Sequence, residues 1–140
     1  MLYRYTKKEL DLLGRLLRAE AIGEGYNGML KVGNVVNNRL IVNCHVFSDL
    51  RTLNDVIYQE NAFASINSPI FISRATTKEK ELAKKSLNGK VLYPATSALW
   101  FYAPRPNEQC RPTWFQQQLA GRYKGHCFYR PKPGVCSELR

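Results

Sequence analysis

The sequence predicts an α+β domain, with helices over its N-terminal two thirds and a short β-sheet toward the C-terminus. Two Thr-x-x-Glu capping boxes, Thr6 with Glu9 and Thr76 with Glu79, each open an apolar stripe of helical spacing. From residue 91 onward the pattern becomes extended, with an aromatic run at 98–102 and a second candidate strand at 126–129. Helical and extended segments do not alternate, so a βαβ architecture is not expected.

After Thr6, Leu10, Leu13, Leu16 and Leu17 recur on one face of the first helix, and Glu20 falls on the same stripe. At about 100° per residue, Asp11, Arg15 and Arg18 share the opposite face. A carboxylate on an apolar face, near the negative end of a helix dipole, resists ionisation, so its pKa should rise from about 4.3 toward neutrality. That behaviour suits a general acid. The alternative for Glu20 is a boundary residue reaching to solvent. Gly23 and Gly25 then break the helix.

Met29, Val32, Val36 and Leu40 form a second helical stripe, and Gly33 on that face lets another helix approach closely. A short third helix is expected at 52–58, with Thr52 as N-cap and Asp55 three residues on. A loop carrying Phe63, Ser65, Asn67 and Pro69 follows. The fourth helix runs from the Thr76 box through Leu82, Ala83 and Leu87 to a stop at Asn88-Gly89. The strand at 98–102 closes on the turn Pro104-Arg105-Pro106, and the last residues, from about 131, read as an irregular tail.

At 140 residues and 44% hydrophobic, the chain makes one domain spanning 1–140. Twenty-one Lys and Arg against 11 Asp and Glu give a formal charge of +10, which favours an anionic partner: nucleic acid, an anionic membrane or a cell-wall polymer. The basic residues are scattered and form no nucleic-acid module. No apolar run reaches the roughly 18 residues that span a bilayer, and Met1-Leu2-Tyr3-Arg4 does not read as a cleavable signal. Cys44, Cys110, Cys127 and Cys136 are widely spaced. They are compatible with disulfides or with buried thiols, and a zinc site using His45 or His126 matches no standard spacing. No metal site and no cofactor are expected.

The blocks 18–25 (R-A-E-A-I-G-E-G), Gly28, 32–39 (V-G-N-V-V-N-N-R), Tyr58-Gln59 with Phe63, 86–89 (S-L-N-G) and 98–102 (A-L-W-F-Y) occur in that order. In this order they resemble the SleB/CwlJ family of spore cortex-lytic cell-wall hydrolases, and the CwlJ branch is the nearer match. One departure is that the aromatic run continues into Ala103-Pro104, where SleB-type sequences have Asn-Pro. The resemblance implies a small lysozyme-like fold that cuts the glycan of spore cortex during germination, as a glycosidase or lytic transglycosylase. It implies Glu20 as the catalytic acid. It also implies synthesis in the mother cell, deposition at the spore coat or cortex–coat boundary, a coat-protein partner, and activation by calcium dipicolinate.

Glu24, four residues from Glu20, has three possible roles: a second catalytic carboxylate, a like charge that raises the Glu20 pKa, or a loop stabiliser accepting backbone hydrogen bonds. Tyr58, Gln59, Phe63, Trp100, Tyr102 and Trp114 are candidates for a sugar-binding groove, since ring faces pack on sugar C–H groups and amides bond to hydroxyl and N-acetyl groups. Strand alternation should let only one of Trp100 and Phe101 face a cleft. Asn38 and Arg39 are expected to hold the second helix against the first, and His126 to be a satisfied structural histidine. The competing class is a non-catalytic basic module that binds cell wall or nucleic acid.

Overall fold

The structure, a computed structural model, describes residues 3–42, 44–60 and 62–136. Asn43, the His45 side chain and the end of the tail at 137–140 lie outside the described residues. Among the described residues four α-helices precede a four-stranded antiparallel sheet; the sequence predicts the four helices, the helix-then-strand order and two of the strands. The helices are α1 (Lys7–Ala21), α2 (Gly25–Ile41), α3 (Leu53–Ile57) and α4 (Thr77–Leu87). The strands are β1 (Trp100–Tyr102), β2 (Thr113–Trp114), β3 (Gln117–Tyr123) and β4 (His126–Arg130), in the order β1-β4-β3-β2. The whole is a small lysozyme-like α+β fold.

The expected capping residues all act as caps. Thr6, Thr52 and Thr76 each accept from the backbone three residues on, and Glu9, Asp55 and Glu79 return the bond. The backbone N–H groups of Arg51 and Thr52, both donating to the Asp55 carboxylate, hold that carboxyl below its ordinary range, with the Thr52 side chain adding to them. The first helix stops at Ala21, where φ is −144° and ψ 23°, and a 3₁₀ turn (Ile22–Glu24) leads into α2.

α2 is buried on every side from Leu30 to Arg39, including Lys31, Asn34, Asn37, Asn38 and Arg39. Three of its polar side chains, Asn34, Asn38 and Arg39, serve as fasteners. Asn34 donates to the Lys90 carbonyl at 2.6 Å and accepts from the Leu92 N–H at 2.9 Å. Asn38 donates to the carbonyls of Ala95 at 3.2 Å and Ala98 at 2.9 Å, and Arg39 Nε to that of Leu99 at 2.7 Å. Asn38 and Arg39 thus fasten the segment leading into β1, where the sequence had them hold α2 against α1. On another side, a Cβ on Gly33 would stand 2.0 Å from Ser86 Oγ, so glycine there permits the close approach of α4.

The polar face of α1 is also packed against another part of the chain. Arg18 is 8% exposed, pairs with Glu79 at 2.9 Å and donates to the carbonyls of Ile70, Ser73 and Arg74. Arg15 donates to Phe71 O at 2.7 Å, and Asp11 accepts from Ala75 N at 2.8 Å. This face docks the loop before α4, whose backbone polar groups would otherwise be buried unpaired.

β2 and β3 are not evident in the sequence, because the run Q-Q-L-A-G-R-Y of β3 lacks alternation and is interrupted by a register shift between Leu119 and Gly121. One sheet face carries Phe101 and Phe128 onto Val35, Ala95 and Ala98. The other carries Trp100, Tyr102, Trp114 and Tyr129. All four cysteines are paired, Cys44 with Cys136 and Cys110 with Cys127. The first bridge ties the described part of the tail to the end of α2, and the second ties the 103–112 loop to β4.

Two stability predictions follow from this packing. The Asn37 amide is 1% exposed and has no hydrogen-bond partner among the described residues, so Asn37→Leu should stabilise the fold by about 1–3 kcal/mol in denaturant melts; a lower midpoint would mean that the amide is satisfied. The Cys44–Cys136 bridge spans 92 residues and Cys110–Cys127 spans 17. Loop-closure entropy therefore predicts losses of about 4–5 and about 3 kcal/mol respectively for the paired serine variants.

Candidate active site

Glu20 and Glu24 stand on either side of the α1 terminus and meet different surroundings. Glu20 is in the last turn of α1, half-buried, and its carboxylate has no hydrogen-bond or ion-pair partner among the described residues. Arg18 points to the loop before α4, and Glu20, about 160° further round the helix, points the other way. It lies on the Leu13–Leu16–Leu17 side, whose core also takes in Phe63 and Phe101.

Glu24 is held by both oxygens. Oε1 lies 2.7 Å from His126 Nδ1, and Oε2 accepts from the Gly125 N–H at 2.7 Å. The side chains of the pair are 8% and 12% exposed. Because Ala21 leaves helical geometry, the i,i+4 relation between Glu20 and Glu24 is not kept. Glu24 instead ties the α1–α2 turn to the Lys124-Gly125 turn between β3 and β4, the arrangement of a loop stabiliser. The approach is close enough that a Cβ on Gly28 would fall 2.4 Å from Glu24 Cβ. Nearby, Lys31 Nζ sits 3.6 Å from the Tyr123 ring centroid. Burial pulls the Lys31 ammonium below its ordinary pKa, and the Glu24 charge partly offsets this. The His126 ring is packed edge-on against Phe101, centroids 5.2 Å apart.

The groove candidates fall into separate places. Gln59, Trp100 and Trp114 line one cleft of about 260 Å³ together with Arg39, Phe47, Phe101 and Phe115. Both Trp100 and Phe101 reach it, contrary to strict alternation, because β1 is a three-residue edge strand and the cleft wraps its end. Tyr102 packs against Trp114 and Tyr129, centroids 4.8 and 5.7 Å apart. Phe63 is 4% exposed and stacked within the core against Phe101, so its ring offers almost no surface to a ligand. Tyr58, 48% exposed, faces a different and larger cavity of about 570 Å³ between α3 and the first half of α1, which also takes in Lys8, Asp11 and Arg15. That cavity is on the Asp11–Arg15 side of α1, away from Glu20. Glu20 lines neither of these two cavities.

Arg39 is the cleft residue whose position sequence reasoning missed. Its signal was its place on a helix buried on all sides, where a charged side chain needs backbone acceptors. Among the described residues no three His, Cys, Asp or Glu side chains gather into a metal-ligand set, and no helix is long and apolar enough to cross a membrane.

A helical half carrying a carboxylate at a helix end is set against a small antiparallel sheet with an aromatic face, and comparison with known proteins gives the class of this fold as a cell-wall hydrolase. The chain belongs to the Cell Wall Hydrolase family, whose sequence model matches residues 23–129. It is similar to Cell wall hydrolase CwlJ of Bacillus subtilis (strain 168), 45% identical over 136 residues that cover 97% of this chain and 94% of the relative. In fold it matches the catalytic domain of the Bacillus cereus SleB protein, with a TM-score of 0.72 and 20% identity over 91% of this chain and 93% of that one. It also matches the catalytic domain of the germination-specific lytic transglycosylase SleB from Bacillus anthracis, with a TM-score of 0.72 and 18% identity over 93% of this chain and 100% of that one.

The clamp around Glu24 sets a measurable expectation. Gly28→Ala forces a methyl group into Glu24 and should cost about 1–3 kcal/mol. Glu24→Ala leaves Gly125 N–H and His126 unpaired and should cost a similar amount. Thermal melts of the two variants check this, and an unchanged midpoint for Glu24→Ala would remove the structural role.

Proposed function

We propose that this chain cleaves the glycan strands of spore-cortex peptidoglycan during germination, with Glu20 protonating the glycosidic oxygen. The observation that carries the reading is the contrast between the two glutamates: Glu24 is occupied by His126 and Gly125, whereas Glu20 is unengaged among the described residues. Family membership and the printed name of the Bacillus anthracis neighbour support the wall-lytic part of this reading.

Canonical glycoside hydrolysis of either stereochemical outcome uses two carboxyl groups facing one bond, and a Glu24 held on His126 does not supply the second. A single acid suffices for a lytic transglycosylase. Glu20 gives its proton to the leaving oxygen as the bond to C1 of the muramic acid residue breaks. Its carboxylate then takes the proton of the C6 hydroxyl, and that oxygen closes on C1. The product is a 1,6-anhydromuramic end, and no water is consumed. The helix-end position of Glu20, on a half-buried apolar stripe, suits both halves of the cycle.

The formal charge of +10 favours an anionic wall polymer by long-range attraction. The same reading puts the enzyme at the spore coat or cortex–coat boundary, with a coat-protein partner and activation by calcium dipicolinate.

Glu20→Gln keeps size and helix propensity but removes the transferable proton, so lysis of isolated cortex should fall by roughly a hundredfold or more with the fold intact. Near-wild-type lysis by the folded variant would sink the assignment. Mass spectrometry of the muropeptides released by the wild type should show ends one water lighter than reducing ends; reducing ends alone would return Glu24 to the role of second carboxylate.

A further inference from the structure

Arg39 is a buried cation that forms no ion pair among the described residues. It is 7% exposed, donates from Nε to the Leu99 carbonyl at 2.7 Å, and reaches Gln59 Oε1 only at 3.4 Å. Among the described residues no carboxylate pairs with it. Burial lowers its pKa to about 10, which leaves it charged at neutral pH. Its guanidinium carbon sits 5.1 and 5.3 Å from the ring centroids of Phe47 and Phe63, and it lines the 260 Å³ cleft. A guanidinium taken out of water without a counter-charge is costly to the fold, and an anion in the cleft offsets that cost.

A second observation marks the same cleft. Trp114 pairs with Gln117 across the β2–β3 hairpin, so Phe115 and Gln116 form a two-residue turn, with φ of 49° and 66°. Such turns favour Asn-Gly, because positive φ strains residues with a bulky side chain. A phenylalanine is nevertheless held there, 68% exposed, with its ring 4.7 Å from that of Trp114 at the cleft wall. Backbone strain that leaves an aromatic ring exposed at a cleft wall points to a ligand.

We propose that the Arg39 cleft is an acid-recognising subsite, in which the guanidinium takes a carboxylate borne by a muramic acid residue while Trp100, Trp114 and Phe115 pack on the sugar. The carboxylate is either that of the lactyl ether or that of the attached peptide. The ligand class rests on the proposed wall-lytic function; the anion preference rests on Arg39 alone. Guanidinium and carboxylate match as a two-pronged pair, and sugar C–H faces match indole and phenyl faces. Glu60, exposed at the rim, makes no ion pair with Arg39 among the described residues, so Arg39 is not neutralised from within.

The two tryptophans of the chain, Trp100 and Trp114, both line this cleft, so intrinsic fluorescence reports on it. Three probes are titrated: N-acetylmuramic acid, with its lactyl carboxylate free; muramyl dipeptide, with the lactyl group amidated and the acid on the peptide; and N-acetylglucosamine, with neither. At least one acidic probe should bind about tenfold tighter than N-acetylglucosamine, and whichever does so identifies the source of the acid. Arg39→Lys keeps the charge but loses the fork, and should weaken that binding by about tenfold. If Arg39→Lys does not fold, the carboxamide of N-acetylmuramic acid replaces it as the control on the wild type and should bind no better than N-acetylglucosamine. Equal binding of acid and neutral sugar, no response to either acid, or undiminished binding by folded Arg39→Lys overturns the proposal. None of these probes contains a glycosidic bond between sugars, so failure of cortex cleavage is read separately from failure of acid recognition.

Discussion

The fold depends on a row of side-chain-to-backbone hydrogen bonds between α2 and the segment 90–99. Asn34, Asn38 and Arg39 sit on a helix that is buried on all sides, and each is bonded to backbone of a chain segment that would otherwise cross the interior with unpaired carbonyls. Leaving buried polar groups unsatisfied is costly, so the match between these three side chains and this stretch of backbone favours one path into β1. Everything C-terminal to residue 99 inherits its position from it, including the sheet, the aromatic face and the walls of the cleft.

α1 is held in a comparable way from its other side. Asp11, Arg15 and Arg18 hold the loop before α4, with Glu79 both closing its capping box and pairing with Arg18. The helix carrying Glu20 is therefore fixed on two faces, by leucines on one and by this charged set on the other. Its last turn leaves the Glu20 carboxylate half-buried and without a hydrogen-bond or ion-pair partner among the described residues. Glu24, three residues past the helix, is drawn away by the β3–β4 turn. Two acidic residues of similar sequence character thus have separate physical roles.

The aromatic residues show the same division. Phe63, Phe101 and Phe128 complete the core, while Trp100, Trp114 and Phe115 form the walls of a cleft with a buried cation in it. The turn at Phe115-Gln116 adopts a backbone conformation more comfortable for asparagine and glycine, and keeps an aromatic ring at the surface. Strain and uncompensated charge thus meet at one place.

By itself the sequence determined the helices, their caps and the class of fold, because capping boxes and 3.6-residue periodicity are local and each helix satisfies its own backbone. It also singled out Glu20, since a carboxylate on a leucine stripe is visible from spacing alone. β2 and β3 were not legible, because their pairing is made by partners distant in sequence and by a bulge that erases alternation. The burial of Arg18, the fastening role of Asn38 and Arg39, and the capture of Glu24 by His126, 102 residues away, were decided only by the tertiary structure. Each depends on which backbone groups and side chains another element brings within hydrogen-bond reach, and no local pattern encodes that distance.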